Sequence, residues 1–225
     1  MKNYAIIVAG GSGNRMQTET PKQFLLLNNL PVLMHTLKAF AQSETQPKIL
    51  LVLSADQHQN WHNLCKEFNF QIPHEVVNGG KERFYSVKNA LDLLDEPGVV
   101  AIHDAVRPLV SKELIDACYG AATENGNAVA AVKPTDSIRK KNGDYTEAVN
   151  RDDFYLIQTP QVFDLQKIKN AYLQPFSNLF TDDASVVEHS GEIINLVEGE
   201  KNNIKITYPT DLDFAEILIN KKPFK

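Results

Sequence analysis

The chain alternates short apolar runs with segments of helical periodicity over most of its length. Continuous apolar runs predict buried parallel strands at residues 4–8, 49–53, 99–103 and 128–132. Shorter runs predict strands at 75–77, 193–196 and 204–207. Apolar residues three and four positions apart predict helices at 31–40, 56–68, 82–94, 111–124, 164–172 and 182–189, and a last one from Thr210. This alternation predicts an α/β fold, a three-layer αβα sandwich with a mainly parallel sheet.

One polar segment interrupts the alternation at Ser137. An Asn142-Gly143 pair lies between two strand-like flanks and predicts a β-hairpin with a type I′ turn. Because the flanks are polar, we expect residues 137–152 to leave the core as an arm. Such an arm is either an ordinary surface flap or a dimerisation element. The chain shows no repeat and no linker, so we predict one domain over residues 1–225.

Composition and charge narrow the class of protein. The chain is 43% hydrophobic with a net charge of −5, which indicates a globular protein and argues against a general nucleic-acid binder. Cations at a site must therefore be gathered locally. No apolar stretch is long enough to span a membrane, and the chain begins with a strand rather than a signal peptide. Cys65 and Cys118 lack metal-like spacing and are expected to be thiols of a reducing cytoplasm.

The most informative motif is a glycine-rich loop directly after the first strand. Ala9-Gly10-Gly11-Ser12-Gly13-Asn14-Arg15-Met16 precedes Pro21-Lys22-Gln23. Glycines let backbone N–H groups approach a ligand, and Arg15 and Lys22 add cations, a combination that suits a polyphosphate. Met16 stands where a dinucleotide fingerprint needs its third glycine, and no P-loop sequence occurs. The pattern is that of sugar-phosphate nucleotidyltransferases, and a plain strand-to-loop turn is the alternative.

Further polar motifs follow predicted strand ends, where ligands bind in a parallel sheet. Gly80 lies in a turn that begins a helix, and its N–H groups together with Ser86 could hold a base or a ribose. Asp104 ends a strand and is suited to a divalent cation beside phosphates, with Arg107 placed for a second anion. Residues 181–183 open a helix whose N–H groups favour an anion. Each motif could also be structural, as a helix entry or a surface ion pair.

The candidate cations exceed what one phosphate needs. They are Arg15, Lys22, Arg107, Arg151 and Lys205. Together they suit a nucleoside triphosphate and a second phosphorylated substrate. On strand alternation Lys205 faces away from the side that Ile204 and Ile206 cover. No Ser-His-Asp order, Cys-His nucleophile or zinc spacing occurs, but direct attack of one phosphate on another needs only alignment and charge neutralisation.

In combination these motifs resemble the 2-C-methyl-D-erythritol 4-phosphate cytidylyltransferases of isoprenoid synthesis and, less closely, relatives that use ribitol 5-phosphate. The resemblance covers nearly the whole chain. It rests on Gly-Gly-Ser-Gly-Asn-Arg-Met, Pro-Lys-Gln-Phe, Gly-Gly-Lys-Glu-Arg, His-Asp-Ala-Val-Arg-Pro, Gln-Thr-Pro-Gln and Asn-Ile-Lys-Ile-Thr. It implies a Rossmann-like nucleotidyltransferase fold, CTP and a polyol phosphate as substrates, Mg²⁺, and a homodimer with swapped hairpin arms. Another polyol phosphate as acceptor and a non-catalytic nucleotide-binding protein remain the alternatives.

The resemblance also implies roles for individual residues. Arg15 and Lys22 would stabilise the transition state at the α-phosphate. Arg151, from the neighbouring subunit, and Lys205 would place the attacking phosphate, while Asp104 would hold the metal. The implied nucleotide contacts are Ala9, Gly10, Gly11, Gly13, Arg15, Lys22, Gly80, Ser86 and Ala105. The implied polyol-phosphate contacts are Asp104, Arg107, Ser137, Arg151, Thr181 and Lys205.

Overall fold

The computed structural model describes residues 1–9 and 20–220. The strands are β1 (Lys2–Val8), β2 (Leu26–Leu27), β3 (Leu30–Pro31), β4 (Lys48–Leu53), β5 (Glu75–Asn78), β6 (Gly98–Asp104), β7 (Asn127–Val132), β8 (Ile138–Asn142), β9 (Tyr145–Val149), β10 (Leu156–Asp164) and β11 (Leu196–Glu198). The helices are α1 (Val32–Gln42), α2 (His58–Glu67), α3 (Arg83–Leu91), α4 (Lys112–Asn125), α5 (Leu165–Ala171), α6 (Asp183–His189) and α7 (Pro209–Asn220).

Seven strands form the central sheet, in the order β11-β7-β10-β6-β1-β4-β5. All of its neighbours pair in parallel except β10, which runs antiparallel to both β6 and β7. Successive residues of β1 show why its run is apolar without a break: Ile7 packs into a core with α1 and α4, and Ile6 into a core with α3 and α5. Helices therefore cover both faces, and the predicted αβα sandwich is confirmed.

Most predicted elements are present, with ends shifted by a few residues. Strand β10 was not predicted, because its middle reads as a polar turn. Gln158, Thr159 and Gln161 interrupt the apolar pattern, and Pro160 is disfavoured inside a sheet. The strand accommodates this segment with a register shift between Ile157 and Gln161 in its pairing with β7. These polar residues therefore form part of a strand of the central sheet.

The prediction of a strand at 204–207 is wrong. This segment is irregular, and the Ile206 N–H donates to the Val106 carbonyl at 2.9 Å. Its side chains still differ in burial as expected, because Ile206 is buried while Lys205 is exposed. The last helix begins at Pro209 rather than Thr210, since proline suits a first helical position. The strand predicted at 193–196 is observed as β11, Leu196–Glu198, and so begins three residues later than predicted.

A hairpin made of β8 and β9 forms a separate two-stranded sheet. Its paired residues Asn142 and Tyr145 enclose a loop of Gly143 and Asp144. Only Gly143 of these two has a positive φ, at 60°, whereas a type I′ turn needs both. The turn is therefore of the type II′ class, with glycine at its first central position. The prediction of a type I′ turn is wrong, because the central residues are Gly143 and Asp144 and not Asn142 and Gly143.

Candidate active site

The carboxyl ends of β1, β4 and β6 meet at one edge of the sheet. Val8 pairs in register with Asp104, and the Ala105 N–H donates to the Val8 carbonyl at 3.0 Å. On the other side the Ala9 N–H donates to the Val52 carbonyl at 2.9 Å. Ala9 and Ala105, both predicted nucleotide contacts, therefore flank the end of β1 together.

The turn before α3 lies at the same edge. The Gly79 N–H donates to the Leu53 carbonyl at 2.7 Å, which joins this turn to the end of β4. The Gly80 N–H donates to the buried Ser86 hydroxyl at 3.0 Å. A Cβ atom at Gly80 would lie 2.4 Å from Tyr85 Cβ, so only glycine fits. The structure thus places Gly80 and Ser86, two predicted nucleotide contacts, in one hydrogen-bonded turn.

Asp104 lies between two cations, Arg107 and Lys205. We call these three residues the Asp104 cluster. Lys205 Nζ lies 3.0 Å and Arg107 Nε 3.3 Å from the same oxygen, Oδ2 of Asp104. Arg107 also donates from Nη1 to the Asn203 carbonyl at 2.8 Å, which holds the irregular segment of Lys205 against it. Residues separated by some hundred positions in sequence are thereby brought to one point, as predicted.

The charges around Asp104 outweigh its burial. Burial alone would raise the pKa of this carboxyl, but the Lys205 ammonium, followed by the Arg83 and Arg107 guanidinium groups, holds the pKa well below its usual range. Asp104 is consequently ionised at neutral pH, and three cations face it. A site with this excess of positive charge is suited to bind more than one anionic group.

Lys22 lies beside the cluster. It begins a short 3-10 turn, Lys22–Phe24, and its buried Nζ donates to the Ile206 carbonyl at 3.2 Å. The next residue, Gln23, donates from Nε2 to the Ala9 carbonyl at 3.1 Å. The Pro21-Lys22-Gln23 motif therefore bridges the end of β1 and the segment that carries Lys205, which places the Lys22 ammonium between them.

His103 supports the cluster from within the core. Its ring is fully buried, lies edge-on to Phe40, and has Nε2 3.2 Å from the Arg107 carbonyl. This contact joins the end of β6 to the loop that carries Arg107. Burial lowers the pKa of His103 to about 4, so the imidazole is neutral at physiological pH.

Arg151 lies apart from the Asp104 cluster in this chain. Its guanidinium donates to the Thr135 carbonyl and lines a cleft of about 650 Å³ at the base of the hairpin, together with Tyr155 and Lys201. None of the three cluster residues lines this cleft. Of the predicted acceptor contacts, Ser137 and Thr181 are exposed. The structure therefore gathers Lys22, Arg107 and Lys205 but not Arg151.

Two N–H groups at the start of α6, where the sequence predicts an anion site, bond to the protein itself. The Ala184 N–H donates to Gln161 Oε1 at 2.8 Å, and the Ser185 N–H donates to Asp182 Oδ1 at 2.9 Å. Asp182 thus caps its own helix. Thr181 is exposed beside these two bonded N–H groups.

Sequence reasoning missed the role of Arg83. Its guanidinium forms a bidentate pair with the fully buried Asp183, at 2.9 Å from Nη1 to Oδ1 and 2.6 Å from Nη2 to Oδ2. The two residues lie 100 positions apart, and Arg83 reads as an ordinary charge on a helix. The only available signal was its place in the Gly-Gly-Lys-Glu-Arg motif.

Four predicted residues, Gly10, Gly11, Gly13 and Arg15, lie outside the described part of the chain. Within residues 1–9 and 20–220, no three His, Cys, Asp or Glu side chains gather as a metal site. No helix in those ranges combines the length and the apolar character needed to cross a bilayer.

A mainly parallel sheet with cations at its carboxyl edge places the protein in the class of Rossmann-like nucleotidyltransferases. A family model described as 2-C-methyl-D-erythritol 4-phosphate cytidylyltransferase (IspD) matches residues 3–221. The chain therefore belongs to the 2-C-methyl-D-erythritol 4-phosphate cytidylyltransferase family.

Individual relatives agree with this assignment. The chain is 46% identical to the 2-C-methyl-D-erythritol 4-phosphate cytidylyltransferase of Bacteroides thetaiotaomicron, with 97% of this chain and 100% of that protein covered. It is 48% identical to the protein of the same name from Porphyromonas gingivalis, with 97% and 98% covered. Among solved structures it is similar to the 4-diphosphocytidyl-2C-methyl-D-erythritol synthase of Anaerococcus prevotii, with a TM-score of 0.84, 30% identity, and 98% and 96% of the chains covered.

Proposed function

We propose that this protein joins CTP and 2-C-methyl-D-erythritol 4-phosphate to give 4-diphosphocytidyl-2-C-methyl-D-erythritol and pyrophosphate, a step of isoprenoid precursor synthesis. The observation that carries the proposal is the convergence of Lys22, Arg107 and Lys205 beside the Gly80 turn. Two phosphorylated substrates need this many cations, and the family relatives bear the name of this reaction.

The reaction needs alignment and charge neutralisation. An oxygen of the polyol phosphate attacks the α-phosphorus of CTP, a new P–O bond forms, and the bond to the β-phosphate breaks to release pyrophosphate. Negative charge spreads over the oxygens of the α-phosphate as this happens. Lys22 donates to the Ile206 carbonyl and is placed to stabilise that charge, while Lys205 and Arg107 position the incoming phosphate.

Mg²⁺ is the metal that we propose for the reaction. Mg²⁺ usually takes only one or two protein carboxylates and completes its shell with water and substrate phosphates. The ionised Asp104 at the end of β6 fits that requirement. When bound, the metal would neutralise phosphate charge and so assist the departure of pyrophosphate.

We also propose a homodimer in which the hairpin arms exchange across the interface. Arg151 lies away from the Asp104 cluster of its own chain. Four consecutive large apolar or aromatic side chains at the base of the arm, residues 154–157, are exposed to solvent. A second copy that covers them would remove this apolar surface from water and could bring Arg151 to the neighbouring site.

The two cysteines are unpaired thiols, which supports a reducing compartment, the cytoplasm.

The test is an acceptor panel. The purified protein is incubated with CTP, Mg²⁺ and either 2-C-methyl-D-erythritol 4-phosphate, ribitol 5-phosphate or glycerol phosphate, and pyrophosphate release is measured. We expect turnover with the first acceptor to exceed the others by orders of magnitude in kcat/KM. Preferred turnover of ribitol 5-phosphate would show that the protein acts as one of the relatives that use this acceptor. CTP binding without turnover of any acceptor would support the alternative of a non-catalytic nucleotide-binding protein.

A further inference from the structure

The partly exposed Arg83 and the buried Asp183 and Tyr172 form a hydrogen-bonded unit, which we call the Arg83 unit. Asp183 is fully buried, and its Oδ1 accepts hydrogen bonds from Arg83 Nη1 at 2.9 Å and from the Tyr172 hydroxyl at 2.7 Å. Its Oδ2 accepts from Arg83 Nη2 at 2.6 Å. Both carboxylate oxygens are therefore satisfied by groups of the protein, as an ionised side chain in the interior requires.

The Arg83 unit joins two parts of the site that belong to different substrates. Arg83 is the first residue of α3, directly after the turn in which Gly80 bonds to Ser86. Asp183 is the first residue of α6, two positions after the exposed Thr181. The nucleotide side and the acceptor side of the site are thus connected by two parallel charge-assisted hydrogen bonds.

Aromatic packing strengthens the same connection. The ring of Phe84 stacks on Tyr172 with centroids 4.6 Å apart and on Phe180 with centroids 5.7 Å apart. Phe180 directly precedes Thr181, so the loop that carries Thr181 rests on the first turn of α3. Gln161 bonds to Asp182 at 2.8 Å and completes the attachment of this loop to β10. A shift of either side of the site must therefore move the other.

Charge as well as geometry links the Arg83 unit to the reaction centre. The Arg83 side chain keeps about a third of its surface accessible, 33%, whereas Asp183 has none. The Arg83 guanidinium is also among the cations that act on Asp104. Arg83 therefore acts on Asp104 by its charge while both of its terminal nitrogens bond to Asp183.

We propose that Arg83 is a positioning residue that couples occupancy of the CTP side to the placement of Thr181 and the acceptor phosphate. This inference rests on the proposed function. It assigns Arg83 no direct role in bond formation, because its two terminal nitrogens are engaged by Asp183. Its effect is on how well the acceptor is held once the nucleotide is bound.

The experiment compares Arg83→Lys with the wild type. Lysine keeps the positive charge but cannot form the bidentate pair, so the loop loses its fixed attachment. A non-hydrolysable CTP analogue is titrated by calorimetry with and without 2-C-methyl-D-erythritol 4-phosphate, and the two KM values and kcat are measured. In the wild type we expect each ligand to strengthen binding of the other by about fivefold or more. In Arg83→Lys we expect this factor to approach one and the acceptor KM to rise about tenfold, with a smaller change in the KM for CTP.

Controls separate coupling from general destabilisation. Lys167→Met removes an exposed ion pair to Glu192 and should leave all these quantities unchanged. Wild-type turnover in the same assay tests the proposed function, so its failure is distinct from failure of this inference. If Arg83→Lys does not fold, the double variant Arg83→Met with Asp183→Asn replaces it, since it removes the ion pair, leaves no buried charge and keeps an oxygen for the Tyr172 hydroxyl. An unchanged coupling factor in whichever variant folds, or equal loss for both substrates, overturns the proposal.

Discussion

Lys205 and Arg107 both form an ion pair with the same oxygen of Asp104. A change in the position of one side chain therefore alters the ion pair of the other. Lys205 retains substantial exposure, so its ammonium can turn from Asp104 to a phosphate without leaving a buried group unpaired. Arg107 is far less exposed and is also bonded to the Asn203 carbonyl. We therefore assign substrate contact chiefly to Lys205 and local order chiefly to Arg107.

Lys205→Met should lower kcat by about 10²–10³-fold, because removal of one preorganised charge from a transition state typically has that effect. The fold should be retained, since Lys205 is itself exposed and lies outside the helices and strands. Steady-state pyrophosphate release measures the effect, and thermal unfolding verifies the fold. Lys112→Met, at an exposed ion pair with Glu113, is the matched control. Turnover of Lys205→Met near that of the control would contradict the assignment.

His103 predicts a pH dependence of stability. Its pKa is about 4 in the folded protein and near 6.5 when unfolded, so the unfolded chain binds the extra proton between these values. Stability should therefore fall as pH decreases from 6.5 to 4, by up to about 3 kcal/mol from this group. Urea unfolding across this range should show a flatter profile for His103→Gln, which does not titrate but can still donate to the Arg107 carbonyl.

The control for this measurement takes account of the charged groups around His103 and of a second histidine whose pKa is lowered, His35. Asp104 raises the pKa of His103, whereas Arg107 and Lys205 lower it. Burial also lowers the pKa of the partly buried His35, so His35→Gln is the comparison variant. An unfolding profile for His103→Gln as steep as that of the wild type would refute the interpretation.

At the scale of single residues, the sequence was informative where chemistry and chain position coincide. Lys22, Asp104 and Arg107 each follow or end a predicted strand, so the topology rule for parallel sheets locates them. Arg83 has no such marker, because its partner Asp183 is distant in sequence and reads as part of a helix start. A pairing made only by the tertiary fold leaves no local periodicity to detect.

Among the elements, the turn before α3 is the one whose geometry is most restrictive. Gly80→Ala would place a Cβ atom 2.4 Å from Tyr85 Cβ, an atom fixed to the helix backbone, so the turn must shift. We expect the KM for CTP to rise by about tenfold or more, since displaced binding groups lose alignment. Gly120→Ala in α4 is the control, because its added methyl meets no atom within 4 Å.

That control should also be informative by itself. Alanine is favoured over glycine inside a helix, so Gly120→Ala should raise the free energy of unfolding by about 0.5–1 kcal/mol with unchanged kinetics. Calorimetry and steady-state kinetics of both variants give the comparison. Unaltered CTP kinetics in Gly80→Ala would show that the turn does not contact the nucleotide.

Elements were predictable where one physical rule dominated. Buried parallel strands are apolar throughout, and amphipathic helices repeat at their own period, so the pattern of apolar positions predicts β1, β4, β6, α1 and α4. Strand β10 obeys neither rule, because its polar side chains find partners inside the fold. Gln158, for example, bonds to the Glu200 carbonyl at 2.8 Å and Gln161 bonds to Asp182. Burial of satisfied polar groups cannot be inferred before those partners are known.

For the whole molecule, the proposed exchange of arms can be tested with mixed dimers. Lys22→Ala and Arg151→Ala should each be nearly inactive alone. If every site takes Lys22 from one subunit and Arg151 from the other, random mixing restores about a quarter of wild-type activity, because half of the dimers then contain one intact site. Pyrophosphate release after co-refolding measures this complementation.

The matched control mixes Lys22→Ala with Lys205→Ala. These two residues meet within one chain through the Ile206 backbone, so no mixed dimer of this pair contains an intact site. Recovery in the first mixture and not in the second supports exchange. Equal behaviour of the two mixtures would place Arg151 in the site of its own subunit.

The reversed strand β10 has a consequence for synthesis of the chain. It lies between β6 and β7, yet it leaves the ribosome after both of them. Until residue 164 has emerged, a nascent chain holds two unpaired strand edges in the middle of its largest sheet. Open edges of this kind recruit strands from other chains. During the interval between β7 and β10, other chains could therefore pair with these open edges.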